Sequence, residues 1–350
     1  MMMSTDQLNY LNVGLMLLSC VAAFAFPFEL FLFSYAVLGP LHYLTEISWL
    51  HDRNYFAGEA GGKRSQRERR AVRHWLLLVT ATMVVLLYGL FTEKALGEPI
   101  SPGWEIAMFY LVFVTAALLT LVKDTRARVA VILLALVSLG IFNASSYYAL
   151  LAFFLVTIIH VLVFTGAFIL LGSLRGRSMS GLLSLAVFIL CSLSFFVYLP
   201  DATGHTVGEY VRNSHGSFRT LNEQLLRLFR LGTGASTEEI YQSSAGLMVM
   251  RLIAFAYTYH YLNWFSKTSV IRWHEIPRRR TALIASLWLA SLAVYAYSYA
   301  AGMAALYFLS ILHVMLEFPL NHQTFAAIGR ELRALKGWER TASRVPENVR

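Results

Sequence analysis

Charge is what this chain has least of. Only 14% of its 350 residues are Asp, Glu, Lys or Arg, while 57% are hydrophobic; an ordinary soluble domain carries about a quarter charged residues. That shortage excludes a water-soluble domain of usual composition. Cysteine is nearly missing too: Cys20 and Cys191 both lie inside apolar runs, which excludes a disulfide framework or a thiolate metal site. No glycine-rich phosphate cradle is present, so an ATP-driven or directly NAD-dependent step is not indicated. The start, "MMMSTDQLNY", has no basic n-region, and the first apolar run is expected to be retained rather than cleaved as a signal peptide.

What is present is a series of apolar runs long enough to cross a bilayer, which takes roughly 20 residues each. The pattern predicts an all-α, polytopic bundle of about ten transmembrane helices, at 8–26, 28–50, 74–92, 104–122, 128–143, 146–172, 181–199, 246–266, 281–299 and 303–325. Every second connection is basic: Arg53 to Arg73, Lys123 to Arg128, Arg175 and Arg177, and Lys267 to Arg280, with a basic tail from Arg330. The positive-inside bias then places both termini in the cytoplasm, in the manner of a bacterial inner-membrane protein. The net charge of +9 comes from these clusters, so nucleic acid is not an expected partner; membrane lipids are. Residues 1–326 read as one transmembrane domain and 327–350 as a cytoplasmic tail. Residues 200–245 read as an extracytoplasmic loop, with Phe218, Leu221, Leu225, Leu228 and Phe229 at helical spacing. An amphipathic helix lying on the membrane surface is expected there, with His205 and His215 as solvated loop residues.

Four of the ten histidines fall inside predicted spans: His42, His160, His260 and His313. An ionisable group in a membrane is costly and points to function. All four spans run in the same direction, and the histidines sit at similar depth, so one imidazole from each of four helices is expected to converge. Any one alone reads equally well as an interhelical hydrogen bond. Glu46 follows His42 by one turn and Glu317 follows His313 by one turn, which puts each pair on one helix face. Such carboxylates can ligate a metal, orient a ligating imidazole or carry protons. Tyr259, in "YTYHYLNWF" with Tyr257 and Asn263, is expected either to pack in the core or to hydrogen-bond water or oxygen at a metal. His51 and His322 repeat a nine-residue spacing after His42 and His313. With His274 they read as interfacial residues, or alternatively as a second metal site at the cytoplasmic rim. Pro319 is expected to interrupt the last helix before His322, and Arg251 to snorkel toward headgroups.

Histidine without cysteine favours iron or zinc, with non-haem iron the first expectation and zinc the second. A bis-histidine haem protein is a further option. The close histidine pairs of membrane desaturases and hydroxylases are absent. "LGPLHYLTE" resembles the first motif of the Brp/Blh-type bacterial β-carotene dioxygenases, a Pro/His pair followed by a carboxylate. The resemblance covers that motif alone, and Leu41 stands between Pro40 and His42. It implies iron held by intramembrane histidines, His42 as a ligand with Glu46 beside it, and His160 and His260 as later ligands by order. The expectation is thus an oxygenase acting on a membrane-dissolved lipid, isoprenoid or carotenoid, served by an electron-donor protein. The alternative is a transporter or proton-coupled permease using the same groups as a relay.

Overall fold

The computed structural model describes residues 3–53, 66–96, 102–141, 149–198, 207–232, 236–267, 272 and 275–342. The described residues are helical, with no strand among them. In chain order the helices are α1 (Thr5–Ala25), α2 (Pro27–Phe33), α3 (Gly39–Arg53), α4 (Gln66–Leu96), α5 (Pro102–Leu121), α6 (Thr125–Ile141), α7 (Thr165–Gly176), α8 (Met179–Val197), α9 (Glu209–His215), α10 (Arg219–Leu228), α11 (Thr237–Gln242), α12 (Ser244–Ser266), α13 (Arg278–Tyr297) and α14 (Tyr299–Ala342). Two stretches are π-helical: Ser34–Leu38 joins α2 to α3, and Ala149–Phe164 leads into α7.

Local chemistry accounts for the breaks. Ser4 caps α1, its hydroxyl accepting from the Gln7 N–H while the Gln7 side chain accepts from the Ser4 N–H. Pro27 ends the first rod and opens the second, because a proline fits the first turn, where no N–H is needed. Ser243 separates α11 from α12 and caps α12 through the Gly246 N–H. Pro319 does not interrupt α14, which runs unbroken from Tyr299 to Ala342 and past the expected domain edge at 326.

Seven stretches are long and apolar enough to cross a membrane: Thr5–Ala25, Pro27–Asp52, Arg69–Gly89, Leu155–Gly176, Met179–Val197, Arg278–Tyr297 and Tyr299–Leu335. This is the make-up of a multi-pass integral membrane protein. The other three expected spans are helices as well, α5, α6 and α12. Helix α12 has 23 residues, but its tyrosines, serines, His260 and Asn263 dilute its hydropathy. It does not need lipid-compatible sides, because it is the axis of the bundle: both faces are buried from Gly246 to Tyr261 apart from a half-buried Arg251. The outer helices turn leucine and valine outward instead, among them Leu18, Val21, Leu190 and Val197. A contiguous apolar exterior of this kind is a lipid-facing surface. The Arg251 guanidinium lies over the Phe24 ring, 5.0 Å from the centroid.

Two apolar clusters fill the interior. One gathers Phe28, Phe31, Phe195, Leu225 and most of α12; the other gathers Leu50, Trp75, Val112, Phe164, Met315 and Phe318. Between them pass α3, the π segment before α7, α12 and α14, the four elements that carry the mid-span histidines.

The described residues between Val207 and Gln242 form a cap against the bundle. The apolar face of α10 is not turned to a membrane surface as expected: Phe218, Leu221, Leu225 and Leu226 are buried against protein, because the aromatic side of α12 and α2 offers a better-packed partner. His215 is likewise no solvated loop residue; it is fully buried, edge-on to Phe28. Its Nε2 accepts from Asn222 Nδ2 at 3.2 Å, which leaves Nδ1 to donate to the Tyr241 hydroxyl at 3.0 Å. That tautomer is neutral, and burial pushes the imidazole down from 6.5 to about 4. The unfolded chain therefore takes up a proton between those pH values that the folded cap refuses. Stability is full above pH 6.5 and falls as the pH drops toward 4, by roughly 3 kcal/mol in all. We expect the thermal midpoint in detergent to fall on acidification through this window, and His215→Gln to remove much of that fall. Equal acid sensitivity in the two proteins would show that His215 does not hold the cap.

Candidate metal centre

Three side-chain hydrogen bonds fix the rod formed by α2, its π turn and α3 against α12. Ser34 meets Thr258 at 2.7 Å, Tyr43 meets Tyr261 at 2.8 Å, and Trp264 donates to Thr45 at 3.0 Å. The register so fixed brings His42 to His260, with their Nε2 atoms 3.1 Å apart. On the opposite side His160 and His313 face each other through Nε2 at 3.3 Å. Ring centroids close a quadrilateral: 4.8 Å from His42 to His260, 4.8 Å from His260 to His160, 5.1 Å from His160 to His313 and 5.4 Å from His313 to His42. All four histidines are buried. The convergence read from the sequence is therefore present in the fold.

The two glutamates join it differently. Glu46 Oε2 lies 3.0 Å from His42 Nε2, the expected pairing within one helix. Glu317 does not pair with His313. Its Oε2 lies 3.1 Å from His160 Nδ1 across the bundle and accepts from Asn321 at 3.3 Å. Glu46 and Glu317 also lie within hydrogen-bonding reach of each other, and the Lys267 charge acts on both. Two buried carboxylates in contact repel unless a cation or a proton lies between them.

A metal ion fits this donor set. The four Nε2 atoms meet in two pairs with no carbonyl or hydroxyl between them, and Oε2 of Glu46 beside His42 is buried without an aligned hydrogen bond, although buried polar atoms are nearly always paired. Imidazole nitrogens bound about 2.1 Å from one ion stand roughly 3.0–3.4 Å apart, the spacing of both His–His pairs. Two overlapping triads qualify, His42 with His160 and His260, and His42 with Glu46 and His313, each with donor atoms within 4.8 Å of one another. His42 belongs to both. The separation does not suit a haem, since two axial nitrogens on one iron lie about 4 Å apart, twice a metal–imidazole bond.

Tyr259 lies elsewhere. Its hydroxyl donates to Asn12 on α1 at 3.2 Å, and its ring packs on Phe188 and Phe255. A residue next to His260 points about 100° away around the helix, here toward α1 and α8. The tyrosines that touch the imidazoles are Tyr43, stacked on His313 at 4.2 Å, and Tyr261, 5.1 Å from His42. Gly39 makes room for them: a Cβ there would come within 3.0 Å of the Tyr43 hydroxyl and 3.2 Å of that of Tyr261. Thr165, bonded to His260 Nδ1 at 2.9 Å, is a further positioning group. A threonine in an apolar run gives no signal of its own in the sequence.

The rim histidines do not gather into a second centre among the described residues. His51 is 74% exposed beside Asp52, His322 turns to the Phe113 carbonyl at 3.2 Å, and His205 and His274 lie outside the described residues. Compared with protein-family models, curated proteins and solved structures, the chain matches none.

Proposed function

We propose that this is a ten-span membrane metalloenzyme with both termini in the cytoplasm, placed in a bacterial inner membrane. It would hold non-haem iron, or alternatively zinc, on His42, His160, His260 and His313. The single observation that carries this reading is the buried four-imidazole quadrilateral with carboxylates at both His pairs. Iron bound there supplies oxygen activation, and the substrate is a membrane-dissolved lipid or isoprenoid. The likeness of "LGPLHYLTE" to the Brp/Blh-type dioxygenases supports the same chemistry, with carotenoids among the candidates. In this scheme Glu46 and Glu317 orient imidazoles and hold or move protons. Tyr43 and Tyr261 wall the imidazoles from lipid on one side.

A second reading has an observation of its own. The Tyr35, Ser310, Tyr43 and Tyr261 hydroxyls neighbour one another and end against the imidazoles, as the relay of a proton-coupled permease would. Elemental analysis of detergent-purified protein with an absorption spectrum separates the two. We expect roughly one or two transition-metal ions per chain and no haem band. A folded protein free of metal would remove the enzyme and leave the relay.

A further inference from the structure

Between the imidazoles and the cap lies a cavity of about 180 Å³. Its floor is His160, His260 and His313, and its far wall comes from the cap residues Ser217, Phe218, Thr220 and Leu221. Nine of its nineteen lining residues carry hydroxyls, among them Tyr35, Tyr43, Tyr261 and Ser310, and none is Asp, Glu, Lys or Arg. Apart from the three histidines the rest of the lining is apolar, including Val161, Ile311 and Val314.

Each part of that lining restricts the occupant. On the walls above the imidazole floor a cation would meet no carboxylate and an anion no lysine or arginine, so a charged group there would sit in the bundle unpaired, at heavy cost. The Tyr35, Ser310, Tyr43 and Tyr261 hydroxyls bond one another, and a plain hydrocarbon would cover the spare lone pairs of that chain without adding a donor there, again at a cost. The volume is below the range of about 300–1,000 Å³ that encloses a drug-sized ligand, but above the 150 Å³ that admits a benzene ring. It takes a small molecule or one end of a long one.

We infer that this cavity binds the neutral, oxygen-bearing end of a lipid, a hydroxyl or carbonyl group on a short aliphatic segment, and directs it at the imidazoles. This rests on the enzyme reading above and narrows its substrate class, away from unoxygenated hydrocarbon.

The test uses full-length, metal-loaded protein in nanodiscs and four six-carbon probes of matched length: hexanol, hexan-2-one, hexane and hexanoate. Binding is followed by ligand-detected NMR titration against protein-free nanodiscs. We expect the alcohol and ketone to bind about tenfold more tightly than the alkane or the carboxylate, the effect of one net hydrogen bond. Met303→Trp, which fills the void, should abolish binding, and the Ser310→Ala/Tyr261→Phe double variant should narrow the preference. Equal binding of hexane, a preference for hexanoate that persists after a chelator strips the metal, or no binding above the protein-free discs would each overturn the inference. Metal is assayed on the same samples. Metal without the preference would sink this inference alone; the preference without metal would sink the enzyme reading and leave the cavity's selectivity standing.

Discussion

Replacing His42 by alanine is expected to empty the centre, dropping bound metal from stoichiometric to under about a tenth of an ion per chain. His42 is the one histidine shared by both donor triads, so its loss leaves neither complete, and a site that has lost one ligand of three or four binds its ion many orders of magnitude more weakly. Insertion and folding should survive, because α3 stays tied to α12 through Tyr43 with Tyr261 and Thr45 with Trp264. Glu46→Gln should give a smaller loss, a 10- to 100-fold fall in affinity typical of a group that orients a ligand. His215→Ala supplies the control, since it removes an equally buried imidazole from the cap and should leave metal content alone. Elemental analysis of the three variants decides the matter. If His42→Ala retains its metal, the four-histidine centre is wrong.

The largest effect on stability is expected at Gly246. It lies in the first turn of α12, where a Cβ would run into the backbone carbonyl oxygens of Glu239 and Ile240. Those atoms cannot rotate away as a side-chain tip would, and Ser243 already ties the same corner by accepting from the Gly246 N–H. Gly246→Val must therefore push α11 off α12 or bend the axis of the bundle. We expect a loss of more than about 3 kcal/mol and a thermal midpoint lower by roughly 5–10 °C. Gly172→Ala is the counterpart: nothing lies within 4 Å of its added Cβ in α7, and alanine there should be neutral or stabilising by up to about 1 kcal/mol. A Gly246→Val protein that melts like the wild type would mean that the corner is not closed.

How far the sequence disclosed all this depends on which force placed each residue. His42, His160, His260 and His313 were legible because a polar group in an apolar span has one affordable direction, inward. Depth along a helix follows from residue count, so their convergence could be read without knowing the packing. The partner of Glu317 could not. Spacing set it beside His313, whereas its contact with His160 depends on how α14 rotates against the neighbouring π segment. Tyr259 and Tyr261 look alike in "YTYHYLNW", and only the position of α12 at the bundle axis decides which one meets the imidazoles. His215 was misread for a related reason. Glycine, serine and asparagine around it suggest solvent, but the apolar face of α10 docks on protein and carries it inside. Pro319 misled as well; α14 continues through it, with Met315 and Phe318 buried on either side of the turn it disturbs.

The two π-helical stretches make residue number itself a property of the centre. A π turn is an α turn with one residue too many, closed by i→i+5 hydrogen bonds. Five residues at the π pitch turn the chain about as far as four at the α pitch, so Ser34–Leu38 holds its extra residue without rotating α3 against α2. A residue gained or lost in the α-helical part of the same rod has no such allowance and would swing His42 by about 100°. His42 would then point out of the quadrilateral although every ligand was still encoded, whereas added residues in a connecting loop would be absorbed.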